Sequence, residues 1–360
     1  MRRRFLGSAR GKVEFFDTLS SRVLSLRVIR PCTKGKPAAI DMEIDVSVIV
    51  VTYNSAPCIK ECLDSILGQE GTRFEVIVVD NASTDDTVRV VRGMGAGIRL
   101  LANQENIGFG RGCNQGFGTS SGRYLLLFNP DARLPERDSL ARLCQILEQN
   151  VRWGLAGTRV TESDGTVECP PSASYPDQHR AHCDFSHLPG KIAWVFGASM
   201  FVRREVFAAV DGFDPGFFLS SEETDLCLRI RQHGWEIGFV PQITAQHIGA
   251  ASERGIDPYD TWRRRVPGIY RFWSKHYPPA DARRLVRRDW FRARFRQHWY
   301  AAMTWFIGTN SRAWRQHRRY AGIGEAARRF LEAQPDNPLT RSQNGLPASG
   351  DGVVPGPGSP

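Results

Sequence analysis

Three apolar runs constrain this chain more than any other feature. Val46-Ser47-Val48-Ile49-Val50-Val51, Phe74-Glu75-Val76-Ile77-Val78-Val79 and Tyr124-Leu125-Leu126-Leu127-Phe128 lack the strict polar–apolar alternation of a half-exposed strand. A strand that is apolar on both faces has to be covered on both, as in a buried parallel sheet. Helical patterns fall between the runs. Ala56 to Gly68 carries Ile59, Cys62, Leu63, Ile66 and Leu67 on one stripe, and Ser83-Thr84-Asp85-Asp86 reads as the cap of a second helix. Ile98-Arg99-Leu100-Leu101, Trp194 to Arg203 and Gly238-Phe239-Val240 read as further strands, and Asp225 to His233 as a helix. Residues 150 to 190, with Pro170, Pro171, Pro176 and Pro189, read as loop. Strand and helix in this alternation imply an α/β fold with a doubly wound, mostly parallel sheet flanked by helices.

The 41% hydrophobic and 24% charged residues describe an ordinary globular protein. No apolar run approaches the roughly 18 residues that a membrane helix needs. Met1-Arg2-Arg3-Arg4 resembles the start of a signal peptide, but no sustained apolar segment follows. The eight Cys are scattered without a CxxC pair, which suits a reducing compartment. The expected location is therefore cytoplasmic. Four regions are expected: a basic extension over 1–43, a catalytic domain over 44–260, a basic aromatic-rich helical region over 261–334, and a disordered Gly/Pro/Ser tail over 335–360. The net charge of +10 is uneven, with Arg crowding the stretch from Arg263 to Arg319. Trp290, Phe291, Phe295, Trp299, Tyr300, Trp305, Phe306 and Trp314 are interleaved there. That pattern suits either helices lying on an anionic membrane surface, such as the inner face of the cell membrane, or rings packed onto the catalytic domain with the arginines solvated.

Candidate chemistry collects at strand ends. Asn129-Pro130-Asp131 ends one apolar run, so a carboxylate is presented at the sheet edge where open α/β folds bind ligands. Asp80 stands at the tip of another run, placed for the ring or ribose of a nucleotide. Glu222-Glu223-Thr224-Asp225 leads into a helix, where carboxylates also serve as simple N-terminal charges. That bland account suits Asp225 and Glu222, while Glu223 is free to act as a base. A hard cation takes oxygen ligands, so Asp131, with His247 as a second ligand, is the metal candidate. Asn106 through Gly116 holds a glycine-rich turn leading into a helix, without the Gly-x-Gly-x-x-Gly spacing of a dinucleotide site. His179, His182, Cys183 and His187 match no zinc-finger spacing.

Together these segments resemble glycosyltransferase family 2, inverting enzymes of the GT-A fold. The matching strings are Val46 to Asn54, Val78 to Asp85, Asn106 to Gly110, Leu127 to Ala132, Gly197 to Met200, Gly212-Phe213-Asp214 and Glu222 to Arg229. Asn-Pro-Asp in place of Asp-x-Asp points to the rhamnosyltransferase-like branch. The resemblance implies a GT-A-type sheet with a C-terminal helical extension, and it implies roles. Thr52, Tyr53, Asn54, Asp80, Asn81, Asn106, Gly108, Phe109, Gly110 and Asn129 would surround a nucleoside-diphosphate sugar, with dTDP-rhamnose the first candidate. Asp131 and His247 would hold Mg²⁺ or Mn²⁺. Glu223, with Glu222 beside it, would act on a hydroxyl of a glycan or polyprenyl-linked acceptor lodged near Gly197, Ala198 and Asp225. The family usually has Asp at the Glu223 position and an aromatic residue at Ser220 or Ser221.

Two rival readings start from the same residues. A nucleotidyltransferase would need a basic glycine-rich loop after the first strand, and Thr52-Tyr53-Asn54-Ser55 is neither basic nor glycine-rich. A nucleic-acid-binding protein would use the Arg/aromatic region, but no nucleic-acid partner is expected if that region serves a membrane.

Overall fold

The structure, a computed structural model, describes residues 44–162, 165–166, 169–247, 256–307 and 312–333. The expected extension over 1–43 and the whole of the expected tail therefore lie outside the described residues. Eight strands form one mixed sheet: β1 (Val46–Thr52), β2 (Phe74–Asp80), β3 (Ile98–Ala102), β4 (Tyr124–Phe128), β5 (Ala132–Arg133), β6 (Trp153–Thr161), β7 (Ser199–Arg203) and β8 (Glu236–His247). Their order is β3-β2-β1-β4-β7-β6-β8-β5. The β1, β2, β3 and β4 pairings are parallel, as is β6 with β8, whereas β7 and β5 run antiparallel to their neighbours.

The alternation of side chains explains why both faces are apolar. Val46, Val48 and Val50 of β1 point toward helices α1 (Ile59–Leu67), α2 (Thr87–Gly93) and α4 (Ser139–Gln149). Ile49 and Val51 point the other way, toward α3 (Phe109–Gly118), α5 (Arg204–Ala209) and α6 (Glu222–Gln232). Each face thus has its own apolar core, and the parallel strand ends Thr52 and Asp80 emerge side by side between the layers.

Two expectations need correction. Part of the stretch read as loop over 150–190 is β6, a nine-residue strand. Gly154 and Gly157 thin its apolar signal because neighbours occupy the space a side chain would fill. A Cβ on Gly157 would lie 2.6 Å from that of Val195. The strand expected over Trp194–Arg203 is regular only from Ser199, the preceding residues being tied by an isolated bridge from Trp194 to Ser172 and by the Ala198 carbonyl.

The chain ends, as described, in α7 (Pro258–His276), α8 (Pro279–Ile307) and α9 (Arg312–Glu332). A third apolar cluster joins them to the sheet domain: Tyr270, Phe272 and Trp273 of α7 and Leu285 and Val286 of α8 pack with Tyr175, Phe217 and Leu228. Many rings of the aromatic-rich region are therefore core. None of the described helices is long and apolar enough to cross a membrane.

Candidate active site

The first wall of the cleft is built from the loops after β1 and β2. Asp80, buried at the end of β2, accepts hydrogen bonds from Thr52 Oγ1 at 2.8 Å, Ser83 Oγ at 2.6 Å and Ser83 N at 2.9 Å. Asn54 sits in the left-handed region with φ 50°, which Asn tolerates well. Its N–H donates to Ser83 Oγ and its Oδ1 accepts from Thr84 N, both at 2.8 Å. The two loops are thus clasped together, and Tyr53 is left exposed at their edge. Asn81 Nδ2 donates to the Gly108 carbonyl at 3.1 Å, and Asn106 Oδ1 accepts from Gly108 N at 3.0 Å. Phe109 and Gly110 turn toward Phe213, the two phenylalanine rings meeting edge-on at 5.8 Å. Of the residues expected around a donor, Asp80, Asn81 and Asn106 hold the loops in shape, and Phe109 and Gly110 pack inward.

The second wall follows β4. Asn129 N donates to the Ala198 carbonyl at 3.0 Å, and three residues later β5 pairs with the end of β8, setting Ala132 opposite His247. This pairing brings together residues 116 positions apart, Asp131 and His247, both buried, with Asp131 Oδ1 3.0 Å from His247 Nε2. Asn129 Nδ2 lies 3.4 Å from the same nitrogen, and the Phe196 ring stands edge-on to the imidazole at 5.9 Å. Adjacent ligands of an octahedral cation with bonds of about 2.1 Å are separated by about 3 Å, so the Asp131–His247 spacing fits two corners of one coordination shell. The donor chemistry, a carboxylate oxygen and an imidazole nitrogen, also fits. Among the described residues no group of three His, Cys, Asp or Glu side chains converges. A cation held by this pair would draw its remaining ligands from phosphate oxygens and water, which is usual for Mg²⁺.

The third wall is the start of α6, which begins at Glu222, three residues earlier than expected. Ser220 and Ser221 precede it with φ 69° and 68°, two consecutive non-glycine residues in the left-handed region. Each such residue costs about 1 kcal/mol or more and persists only where its surroundings dictate it. Here the surroundings are two glycines. A Cβ on Gly108 would lie 2.5 Å from the Phe218 carbonyl oxygen, and one on Gly268 of α7 would penetrate the Ser220 carbonyl oxygen. Gly268 follows Pro267 inside the helix, a pair that local propensity alone would keep out of a helix interior.

The two carboxylates that follow differ. Glu222 is buried and its Oε2 has no hydrogen-bond partner among the described residues. Burial, reinforced by the charge of Glu223, pushes its pKa up to about 8. Glu223 is partly exposed and its side chain runs alongside Gly197, whose position would place a Cβ 3.5–3.8 Å from the Glu223 side chain. Burial raises its pKa as well, but the N–H groups of Glu223, Ser221 and Thr224 and the nearby Arg265 oppose that rise. Of the two, Glu223 is the more exposed and the one placed to meet a ligand. Glu223 lies beside Gly197, and Ala198 accepts from Asn129, so a two-residue span separates the base candidate from the wall that carries Asp131 and His247. Ala198 is itself buried in the core and positions Asn129 through its carbonyl.

Asp225, expected at the acceptor, is fully buried instead. Burial alone would raise its carboxyl, but His276, Arg229 and Lys275, each at 2.7 Å, hold it below the usual range. It ties α6 to α7. Arg265 and Gly268 are not anticipated from the sequence, and Ser220 and Ser221 are singled out there only as the place of a family aromatic residue, not for their backbone conformation. The Pro267-Gly268 pair inside a helical pattern was the available signal.

The family model described as glycosyl transferase family 2 matches residues 47–209, and that described as glycosyl transferase family group 2 matches residues 131–332. The chain belongs to glycosyltransferase family 2. This family 2 glycosyltransferase is 26% identical over 244 residues to the N-acetylglucosaminyl-diphospho-decaprenol L-rhamnosyltransferase of Mycobacterium tuberculosis, spanning 59% of this chain and 78% of that one. It is 40% identical over 96 residues to the succinoglycan biosynthesis protein ExoO of Rhizobium meliloti, covering 26% of this chain and 28% of the relative. Its fold is shared with a mannosyltransferase from Pyrobaculum calidifontis solved with GDP-Man and Mn²⁺, at a TM-score of 0.51 and 21% identity, over 81% of this chain and 88% of that one. The rhamnosyltransferase among these relatives agrees with the branch that the motifs resemble. Family membership also sets aside the nucleotidyltransferase and nucleic-acid-binding readings.

The close approach at Gly268 yields a paired expectation. Gly268→Ala should lower stability by about 1–3 kcal/mol, as overpacking does, and should reduce turnover by displacing Ser220 ahead of Glu223. Gly324 of α9 is also inside a helix, but a Cβ there would meet the Ala293 Cβ at 3.6 Å, an ordinary contact. Gly324→Ala should therefore be neutral or stabilising by up to about 1 kcal/mol. Thermal melts and initial rates of both variants test this, and equal behaviour of the two would discard the packing argument.

Proposed function

We propose that this glycosyltransferase is a metal-dependent inverting enzyme. It moves a sugar from a nucleoside-diphosphate donor to a hydroxyl of a lipid-linked glycan at the cytoplasmic face of the cell membrane. The observation that carries this reading is the separation of two chemistries across Gly197-Ala198: Asp131 and His247 on one side, Glu223 on the other. The donor lies along the first wall, with Thr52, Asn54 and Asp80 framing the nucleoside and Asn129 near the diphosphate. Asp131 and His247 would hold Mg²⁺ or Mn²⁺, which supplies Lewis-acid stabilisation of the leaving diphosphate. Glu223 accepts the proton of the acceptor hydroxyl as that oxygen attacks the anomeric carbon from the face opposite the leaving group. Glu222, kept neutral by burial at neutral pH, leaves Glu223 as the one negative charge of the pair.

The M. tuberculosis relative, named for a rhamnosyl transfer to a diphospho-decaprenol-linked sugar, supports dTDP-rhamnose as the first donor and a polyprenyl diphosphate glycan as the acceptor class. The test is a transfer assay across a panel of sugar nucleotides, with the anomeric configuration of the product read by NMR. Inversion with one preferred deoxysugar donor is the expected result. Retention of configuration would overturn the direct-displacement mechanism, and preference for a different donor would replace dTDP-rhamnose.

A further inference from the structure

Helix α8 uses only part of its circumference for packing. Ala293 is fully buried against α9, Tyr300 stacks on Tyr320 with ring centroids 5.9 Å apart, and Arg296 Nη1 donates to the Tyr320 hydroxyl at 2.7 Å. The opposite face is apolar and exposed: Phe291, Phe295 and Trp299 are 64%, 72% and 61% accessible and recur every four residues along one stripe. Arg287 lies one turn ahead of the stripe, and Arg292 and Arg294 flank it, all three exposed. Between Ala282 and Ile307 the sequence holds one carboxylate, Asp289, and this is turned to Arg288 at 3.1 Å, which itself pairs with Asp177 at 2.9 Å.

We propose that this face of α8 seats the enzyme on an anionic lipid bilayer, with Phe291, Phe295 and Trp299 entering the headgroup boundary and Arg287, Arg292 and Arg294 meeting lipid phosphates. The inference deepens the membrane-side placement proposed above, naming the surface that achieves it. A row of exposed rings on a single helix lying flat suits an interface plane, where aromatic residues sit at headgroup level and arginines reach outward to phosphate. Charge complementarity favours lipid over a second copy of the chain. Apposing two such faces would bring Arg287, Arg292 and Arg294 against their own counterparts with no acidic residue on the stripe to compensate them.

The test is co-sedimentation of the full chain with vesicles of phosphatidylcholine, alone or with 30% phosphatidylglycerol, in the absence of donor and acceptor. Phe291→Ser/Phe295→Ser/Trp299→Ser is compared with Arg287→Gln/Arg292→Gln/Arg294→Gln. The wild type should bind the anionic vesicles at least 10-fold more tightly than the neutral ones. The ring variant should lose at least 10-fold of that binding, and the arginine variant should lose most of the preference for anionic lipid. Brominated lipid should quench tryptophan fluorescence less in Trp299→Phe than in wild type. Because the substituted side chains are exposed, thermal melts of all variants should match wild type. Vesicle binding unchanged in both triple variants overturns the proposal. So does a wild-type dimer in sedimentation velocity that the ring variant disperses while vesicle binding persists, or tighter binding to DNA than to anionic vesicles. Binding as expected in a protein that transfers no sugar would overturn the catalytic reading and leave this one standing.

Discussion

Glu223→Gln is expected to lower the turnover number by about 10²–10⁴-fold while leaving donor affinity unchanged, since the amide keeps the shape but cannot accept a proton. The expectation rests on geometry, because Glu223 lies along Gly197 at the open side of α6 whereas its neighbour is buried. Glu222→Gln should behave differently. A carboxyl raised from its ordinary 4.5 to about 8 by burial binds a proton in the folded state across that window, and the unfolded chain does not. Stability from this group is therefore greatest at low pH and declines as pH rises toward 8. Replacing it by a neutral amide should flatten that decline and raise the melting temperature at pH 8, with turnover reduced far less than by the change at Glu223. Rates and melts of both variants between pH 5 and 9 test the assignment. If the loss of turnover follows Glu222 instead, the base has been placed on the wrong carboxylate.

Asp131→Ala is expected to reduce transfer by on the order of 10²–10³-fold, the size of effect when stabilisation of developing negative charge is removed. Asp131→Asn separates charge from structure. The amide can still meet His247 Nε2 at the 3.0 Å spacing seen here, so the melting temperature should stay near that of wild type. Mn²⁺ binding measured by calorimetry in the presence of a nucleoside diphosphate should weaken at least 10-fold in both variants. His247→Ala should follow the same pattern. Full wild-type activity in excess chelator would end the metal-dependent reading, whatever the variants do.

The parts of the site that could be read from the sequence are those that lie at the ends of strongly patterned strands. The runs ending at Thr52, Asp80 and Phe128 declared their burial through apolar residues on both faces, so the polar residues after them had to gather at one edge. Asn129, Asp131 and His247 were anticipated as a group by resemblance, but their meeting depends on the short β5–β8 pairing, which no local pattern reveals. The burial of Asp225 is not legible in the sequence, because its three basic partners lie partly on α7, some 50 residues away. A carboxylate in the first turn of a helix looks the same whether it faces solvent, substrate or a buried His. Strand β6 was missed for the opposite reason: its glycines make room for Val195 and Val206, so the apolar signal sits on the neighbours. Of the rings singled out in the basic region, Phe291, Phe295, Trp299 and Trp305 are exposed, while the rings that join the core, Tyr270, Phe272 and Trp273, lie earlier on α7 and carry no local signal that sets them apart.

The contact of Gly268 with the Ser220 carbonyl has a consequence for how enzymes of this shape can be recombined. The residue that would deprotonate the acceptor takes its orientation from a helix that follows the sheet domain in sequence. Exchanging the C-terminal helices between relatives to alter membrane or acceptor preference would therefore reset the catalytic angle unless the Pro-Gly step travelled with its own Ser-Ser turn. Residue 260 looks like a seam in composition, but a chimera joined there would divide one mechanical unit between two parents.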